Sequence, residues 1–195
     1  MLIKINTDNT IEYPCSIKEL KVAYPNTSFQ KTISEEVLNS FSVYTLDESA
    51  KPTVDQYSRV NITEIKLVDG VYTAFYEVID KPLEKVKYIK LNELEMVYLE
   101  ESEKTVVDSE GVEWTGGQES AQKLQYKALL VEQAGNPSGK IFDANKTYHE
   151  LSISDMRAKA VLVGEAYEQL LEKYISKRTL VESLTDSDAV KNVVW

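Results

Sequence analysis

Between Ile153 and Tyr174 the apolar side chains fall at Ile153, Met156, Ala160, Val163, Tyr167, Leu170 and Tyr174, with gaps of three, four, three, four, three and four. A row at that period lies along one face of an α-helix. It resumes past Lys177 at Val181 and Leu184. Ser152 stands before it as an N-cap, with Asp155 three residues on. A stripe of this length has to be covered, either by another helix of the chain or by copies of the stripe itself. Ile153, Met156, Val163, Tyr167, Leu170 and Tyr174, with the aromatic Trp195, are therefore the candidate interface residues.

A partner is present upstream. Gln118 to Ala134 carries Ala121, Leu124, Ala128 and Val131 at three, four, three spacing, and Gly135-Asn136-Pro137-Ser138-Gly139 ends it. Ala160 and two tyrosines in the stripe suit a dimeric coiled coil poorly, since that seam favours Leu and β-branched residues. A helix pair within the chain is the favoured expectation, and self-association of the stripe the other.

The remaining chain alternates short strands and short helices. Leu2–Ile5 and Thr10–Tyr13 read as a hairpin stopped by Pro14, and Ser16 with Glu19 as a capping box opening a short helix. Ser34 opens a second helix, and Phe41–Leu46 alternates as a strand. Asp69-Gly70 between two β-rich runs, 57–68 and 71–79, is a two-residue hairpin turn, since both residues tolerate positive φ. Thr105–Trp114 and 140–151 give two small hairpins, and a last short helix ends on Trp195. The expected fold class is α+β. A small N-terminal domain covers 1–81, an acidic helical connector 82–104, and a helix-rich C-terminal domain 105–195.

Composition narrows the partners. The 22 basic side chains face 32 acidic ones, for a net charge of −10. A protein that binds nucleic acid through its backbone needs the opposite balance, and so does one held to an anionic membrane. Cys15 is the single cysteine, which excludes an internal disulfide. No apolar run approaches the roughly 20 residues of a membrane span, and the N-terminal apolar run is too short for a signal peptide; a soluble chain made in a cytoplasm is expected. Between Glu93 and Glu113 eight acids face Lys104 alone; such a run is a solvated face or a docking strip for a basic partner.

Reactive residues are sparse. His149 is the one histidine. A nucleophile beside it would have to be Ser or Cys with an orienting acid, and Cys15 lies in the other domain; His149 is expected to serve packing or surface. Asp143-Ala144-Asn145-Lys146 lacks the alternating ligands and central Gly of a calcium loop. Ser138-Gly139-Lys140 lacks the first Gly of a phosphate loop at its required spacing, and a helix precedes it where a strand should. No enzyme activity, cofactor or metal is expected.

Two regions carry a resemblance. Val106 to Trp195 resembles an uncharacterised domain at the C-terminus of bacteriophage tail and tail-fibre-assembly proteins. The matching residues are the Gly111 turn with Trp114, Gln118-Glu119-Ser120-Ala121, Phe142-Asp143-Ala144, and His149-Glu150-Leu151-Ser152. Asp155-Met156, Ala160, Val190, Val193 and Trp195 complete them. In the N-terminal half, Tyr13-Pro14, Leu20, Tyr24 to Phe29, Pro52 and Asp69-Gly70 are similar to the companion region of such proteins. Tyr72 replaces the Trp common after that Gly, and Gln30 the Pro common after Phe29. The resemblance implies a non-enzymatic role in the virion tail, or in the host cytoplasm during assembly. The protein would be a component associated with the tail fibre or a chaperone of fibre assembly, and its partners the fibre or other tail proteins. Two other readings remain: an acidic host-directed regulatory binder acting through Glu93–Glu113, and a tail module acting on or binding cell-surface glycan, for which the β content is fragmented.

Overall fold

A computed structural model describes residues 1–30 and 32–195. The fold is α+β, in two compact units, Met1–Lys81 and Pro82–Trp195.

The first unit is a five-stranded sheet. Its strands are β1 (Leu2–Ile5), β2 (Ile11–Cys15), β3 (Val43–Asp47), β4 (Ser58–Val68) and β5 (Val71–Asp80), in the order β2-β1-β3-β5-β4. Neighbours run antiparallel except β3 and β5, which run parallel. Asp69 (φ 49°) and Gly70 (φ 83°) form the expected turn between β4 and β5. Ser16 and Glu19 close both halves of the capping box at helix α1 (Ile17–Ala23). Ser34 occupies the N-cap of α2 (Glu35–Ser40), but its side chain makes no capping bond. The strand expected to stop at Pro14 runs through it to Cys15. β2 is an edge strand, where a residue without an N–H does not interrupt a ladder.

The sheet is apolar on both faces. Leu20 and Leu38 of the two helices pack with Val43, Phe29 and Phe41 on one face. On the other, Ile3, Leu46 and Ala74 are buried among Tyr44, Tyr72 and Tyr76. The loop after β3 is tied to that face by Glu48, whose carboxylate accepts from the Tyr13 hydroxyl (3.3 Å) and the Tyr76 hydroxyl (3.4 Å).

The second unit is built along one helix. In chain order it contains α3 (Leu83–Ser102), β6 (Val106–Val107), β7 (Glu113–Trp114), α4 (Gln118–Gln133), β8 (Ser138–Phe142), β9 (Tyr148–Ser152), α5 (Ile153–Ser183) and α6 (Ser187–Lys191). Helix α5 has 31 residues, roughly 46 Å of length, whereas the 16 residues of α4 reach only about 24 Å. The expected partner therefore covers half of the stripe. It lies antiparallel to α5: Glu132 pairs with Arg157 at one end and Ala121 faces Gly164 at the other.

The other half is covered by α3, which corrects the connector expected at 82–104. Near the start of α3, Lys87 Nζ donates to the Glu182 carbonyl oxygen (2.8 Å), placing a cation at the C-terminal end of α5. Near its end Tyr98 stacks on Tyr174, ring centroids 4.8 Å apart. The face α3 buries is Val86, Lys90, Leu94, Tyr98 and Ser102, a run of strict i+4 spacing. Lys90 is held by Glu93 (2.6 Å) and the Ser102 hydroxyl donates to the Leu99 carbonyl oxygen, so neither polar residue is left unsatisfied. Thus α3 and α4 lie in tandem along one apolar row.

Where the two covering helices succeed one another, the chain makes its tightest approach. A Cβ on Gly116 would collide with the Lys104 carbonyl oxygen and lie 3.0 Å from that of Ser102, so only glycine lets the entry to α4 pass the end of α3. Helix α4 ends on Gly135 (φ 68°). The Asn136 N–H bonds back to Val131 and the Gly135 N–H to Glu132, the two bonds of a Schellman cap.

Candidate functional site

A buried polar cluster fixes the β6–β7 hairpin to the spine helix. The turn of that hairpin folds back on Asp108. Asp108 Oδ1 accepts from the backbone N–H groups of Glu110 (2.9 Å) and Val112 (3.0 Å), and Gly111 takes the positive φ. Asp108 Oδ2 accepts from the Trp114 indole (2.7 Å) and from Lys159 Nζ of α5 (2.6 Å). The side chain of Asp108 is 3% exposed and that of Lys159 14%. The Lys159 ammonium, followed by the indole N–H, holds the Asp108 carboxyl far below the usual carboxylate range. Burying this pair without its four donors would leave a desolvated charge; with them every strong acceptor site is used.

Trp114 carries the cluster to the second hairpin. Its ring packs on that of His149 (centroids 5.5 Å apart), and His149 Nε2 lies 3.0 Å from Asp143 Oδ2. Asp143 also accepts from the Thr147 N–H, closing the β8–β9 turn, and its carboxyl is lowered first by the imidazole. His149 has both a packing role and a local hydrogen bond. The cluster can hold charges in place; its carboxylates are spent on fixed donors.

The stripe residues are distributed unevenly. Met156 and Val163 are 0% exposed and belong to the core with Trp114, Ala128, Val131 and Ile141; they are withdrawn as interface residues. Ile153 packs against the same core, half-buried. Leu170 is half-buried, and so are Tyr167 and Tyr174, which flank Tyr98 of α3. Burial of Tyr98, and then the hydroxyl of Tyr167 beside it, push the Tyr98 phenol up to about 12. Trp195 lies against Tyr98 (6.5 Å) and beneath the Lys173 ammonium (4.6 Å). Of the stripe, Met156, Ala160 and Val163 are buried within the chain, and Ile153, Tyr167, Leu170 and Tyr174 stay half-buried.

The acidic run from Glu93 to Glu113 is likewise not one surface. Glu93 and Glu101 are paired with Lys90 and Lys104, and Asp108 is buried. The uncovered apolar surface lies elsewhere, on the flank of the α4–α5 pair. Tyr126 is 61% exposed and Val161 55%, with Leu129 and Leu130 also exposed. Ala121, Gln122, Gln125, Tyr126, Leu129, Ala160 and Val161 line a groove there of about 560 Å³. Sequence reasoning assigned the face of α4 at 121, 124, 128 and 131; the three large apolar residues outside that face were the available signal for a second one. Among the described residues, no helix is long and apolar enough to cross a membrane, and no group of three His, Cys, Asp or Glu is placed to hold a metal.

Comparison of the chain with protein-family models, curated proteins and solved structures finds no match.

Proposed function

We propose that this is a bacteriophage tail protein that acts by binding other proteins, either as a virion component associated with the tail fibre or as a chaperone of fibre assembly, and that it is not an enzyme. The observation that supports this most is where the residues of the family resemblance fall. Trp114, Met156, Ala160, Val190 and Val193 are all buried in the second unit, Gly111 makes the turn under Asp108, and Phe142 to Ser152 form the hairpin that feeds α5. The C-terminal part of the resemblance thus includes residues that build the second unit, the pattern of a shared scaffold whose function lies on its surface. The open flank of α4 and α5 supplies such a surface.

The test is co-expression with the fibre subunit encoded by the same phage. The reading expects a rise in soluble fibre or a stable complex on size-exclusion chromatography. Unchanged fibre solubility together with no complex rejects both forms of it.

A further inference from the structure

Past Val161 the groove between α4 and α5 gives way to an open face of α5 alone. Along the next three turns of α5, Val161, Gly164, Glu165, Glu168, Gln169 and Glu172 line a second, shallower trough of about 620 Å³ that shares Val161 with the first. One end of the continuous surface is apolar and the other carries three carboxylates.

Those carboxylates stand without cations among the described residues. Among the described residues, Glu165, Glu168 and Glu172 make no ion pair, whereas Glu119, Glu132 and Glu182 on the same two helices each have one. Glu165 and Glu168 are three residues apart, Glu168 and Glu172 four. Like charges at those spacings cost a helix about 0.2–0.5 kcal/mol per pair. The row therefore weakens the isolated helix, beside an apolar groove that is also uncovered.

We infer that this surface is a docking groove for an amphipathic helix of another protein, whose apolar side chains enter between Tyr126, Leu129 and Val161 and whose lysines or arginines meet Glu165, Glu168 and Glu172. From Val161 to Glu172 the spine rises roughly 16 Å, which accommodates about three turns of a ligand helix. Helix-in-groove binding of this type uses apolar anchors at i, i+3 and i+4 with charges setting the orientation. A second copy of this chain is the wrong occupant on charge, since it too carries a net −10. This surface would bind such a helix whether or not the protein belongs to a phage tail.

The probe is a synthetic amphipathic helix of about 18 residues with a leucine face and a lysine face, labelled for fluorescence anisotropy against the full chain. Three variants are compared: Leu129→Asp, the triple Glu165→Lys/Glu168→Lys/Glu172→Lys, and a control with the same charge change elsewhere, Glu95→Lys/Glu100→Lys/Glu110→Lys. The proposal expects the first two to weaken binding about tenfold or more and the control by less than about twofold at physiological salt. Hydrogen exchange on the unmutated chain gives an independent readout, with added protection expected in 118–133 and 157–172 when the probe is bound. Equal loss in the two triples means attraction by bulk charge only and overturns the proposal. So does protection outside those segments. So does equal binding of a leucine–glutamate peptide, or a dimer of the free chain that Leu129→Asp abolishes.

Discussion

Replacing Lys159 by methionine tests the polar cluster that ties the β6–β7 hairpin to α5. The substitution keeps the length of the stem but removes the ammonium 2.6 Å from Asp108 Oδ2. Removing one partner of a buried ion pair costs about 3–5 kcal/mol. Asp108 would retain the Trp114, Glu110 and Val112 N–H groups, which places the expected loss near 3 kcal/mol. For a unit of this size 1 kcal/mol is worth about 4 °C, so Tm should fall by about 12 °C. Both tryptophans, Trp114 and Trp195, lie in the second unit, so urea unfolding followed by tryptophan fluorescence reports on it alone. The pH dependence has a fixed sign. The folded carboxyl is depressed, so the pair's stabilisation is present above the unfolded value of about 4 and is lost as pH falls below it. Without Lys159 the acid transition should begin at higher pH. The double variant Asp108→Asn/Lys159→Met removes the lone buried charge but should recover only a minor part of the loss, because one amide oxygen cannot serve both the indole and the Glu110 and Val112 N–H groups, and the NH2 group faces donors at the other site. A Lys159→Met variant within about 1 kcal/mol of the parent would refute the buried pair.

Further outcomes follow from the same packing. Gly116→Ala drives a methyl into the Lys104 carbonyl and should cost at least the upper end of the ~1–3 kcal/mol of overpacking. Gly139→Ala, whose Cβ would meet side chains rather than backbone, Val131 Cγ2 (2.6 Å) and Met156 Cε (2.9 Å), should cost less than Gly116→Ala, since the methionine end can swing aside while the β-branched Val131 has to shift; denaturant melts order the two. Met156→Ala should cost ~2–5 kcal/mol, and Leu170→Ala, at a half-buried site, clearly less. In alkaline titration at 295 nm one tyrosine should ionise near pH 12, and Tyr98→Phe should remove it. Because the raised phenol favours the neutral folded form, the second unit should lose stability as pH climbs from about 10 towards 12.

Local signals made much of this fold legible in the sequence. The Asp69-Gly70 turn, the Ser16–Glu19 box and the Ser152 cap each depend on residues within four positions of one another, and the pairing of α4 with α5 follows from two matched apolar rows. The role of α3 is hidden in the sequence because its buried i+4 row includes Lys90 and Ser102, which break the apolar pattern and are met by Glu93 and the Leu99 carbonyl about one turn away. The stripe therefore has two partners where the apolar pattern alone offers one. Asp108 looks like part of the acidic run in the sequence because its decisive neighbour, Lys159, lies 51 residues along the chain. The groove was missed for a related reason. Once 121, 124, 128 and 131 explain helix α4, Tyr126 and Leu129 are surplus, and only the packed pair shows them lining an uncovered groove that meets, at Val161, the face of three glutamates without an ion pair among the described residues.

The central claim is that the chain works by binding tail proteins through the second unit. It is tested most directly by purifying the tagged chain from phage-infected cells, with lysine cross-linking and mass spectrometry of what accompanies it. The account predicts a fibre or other tail protein in stoichiometric amount, cross-linked to Lys123, Lys127 or Lys173 of α4 and α5. Recovery with no tail protein above an untagged control, or cross-links confined to the first unit, would contradict it.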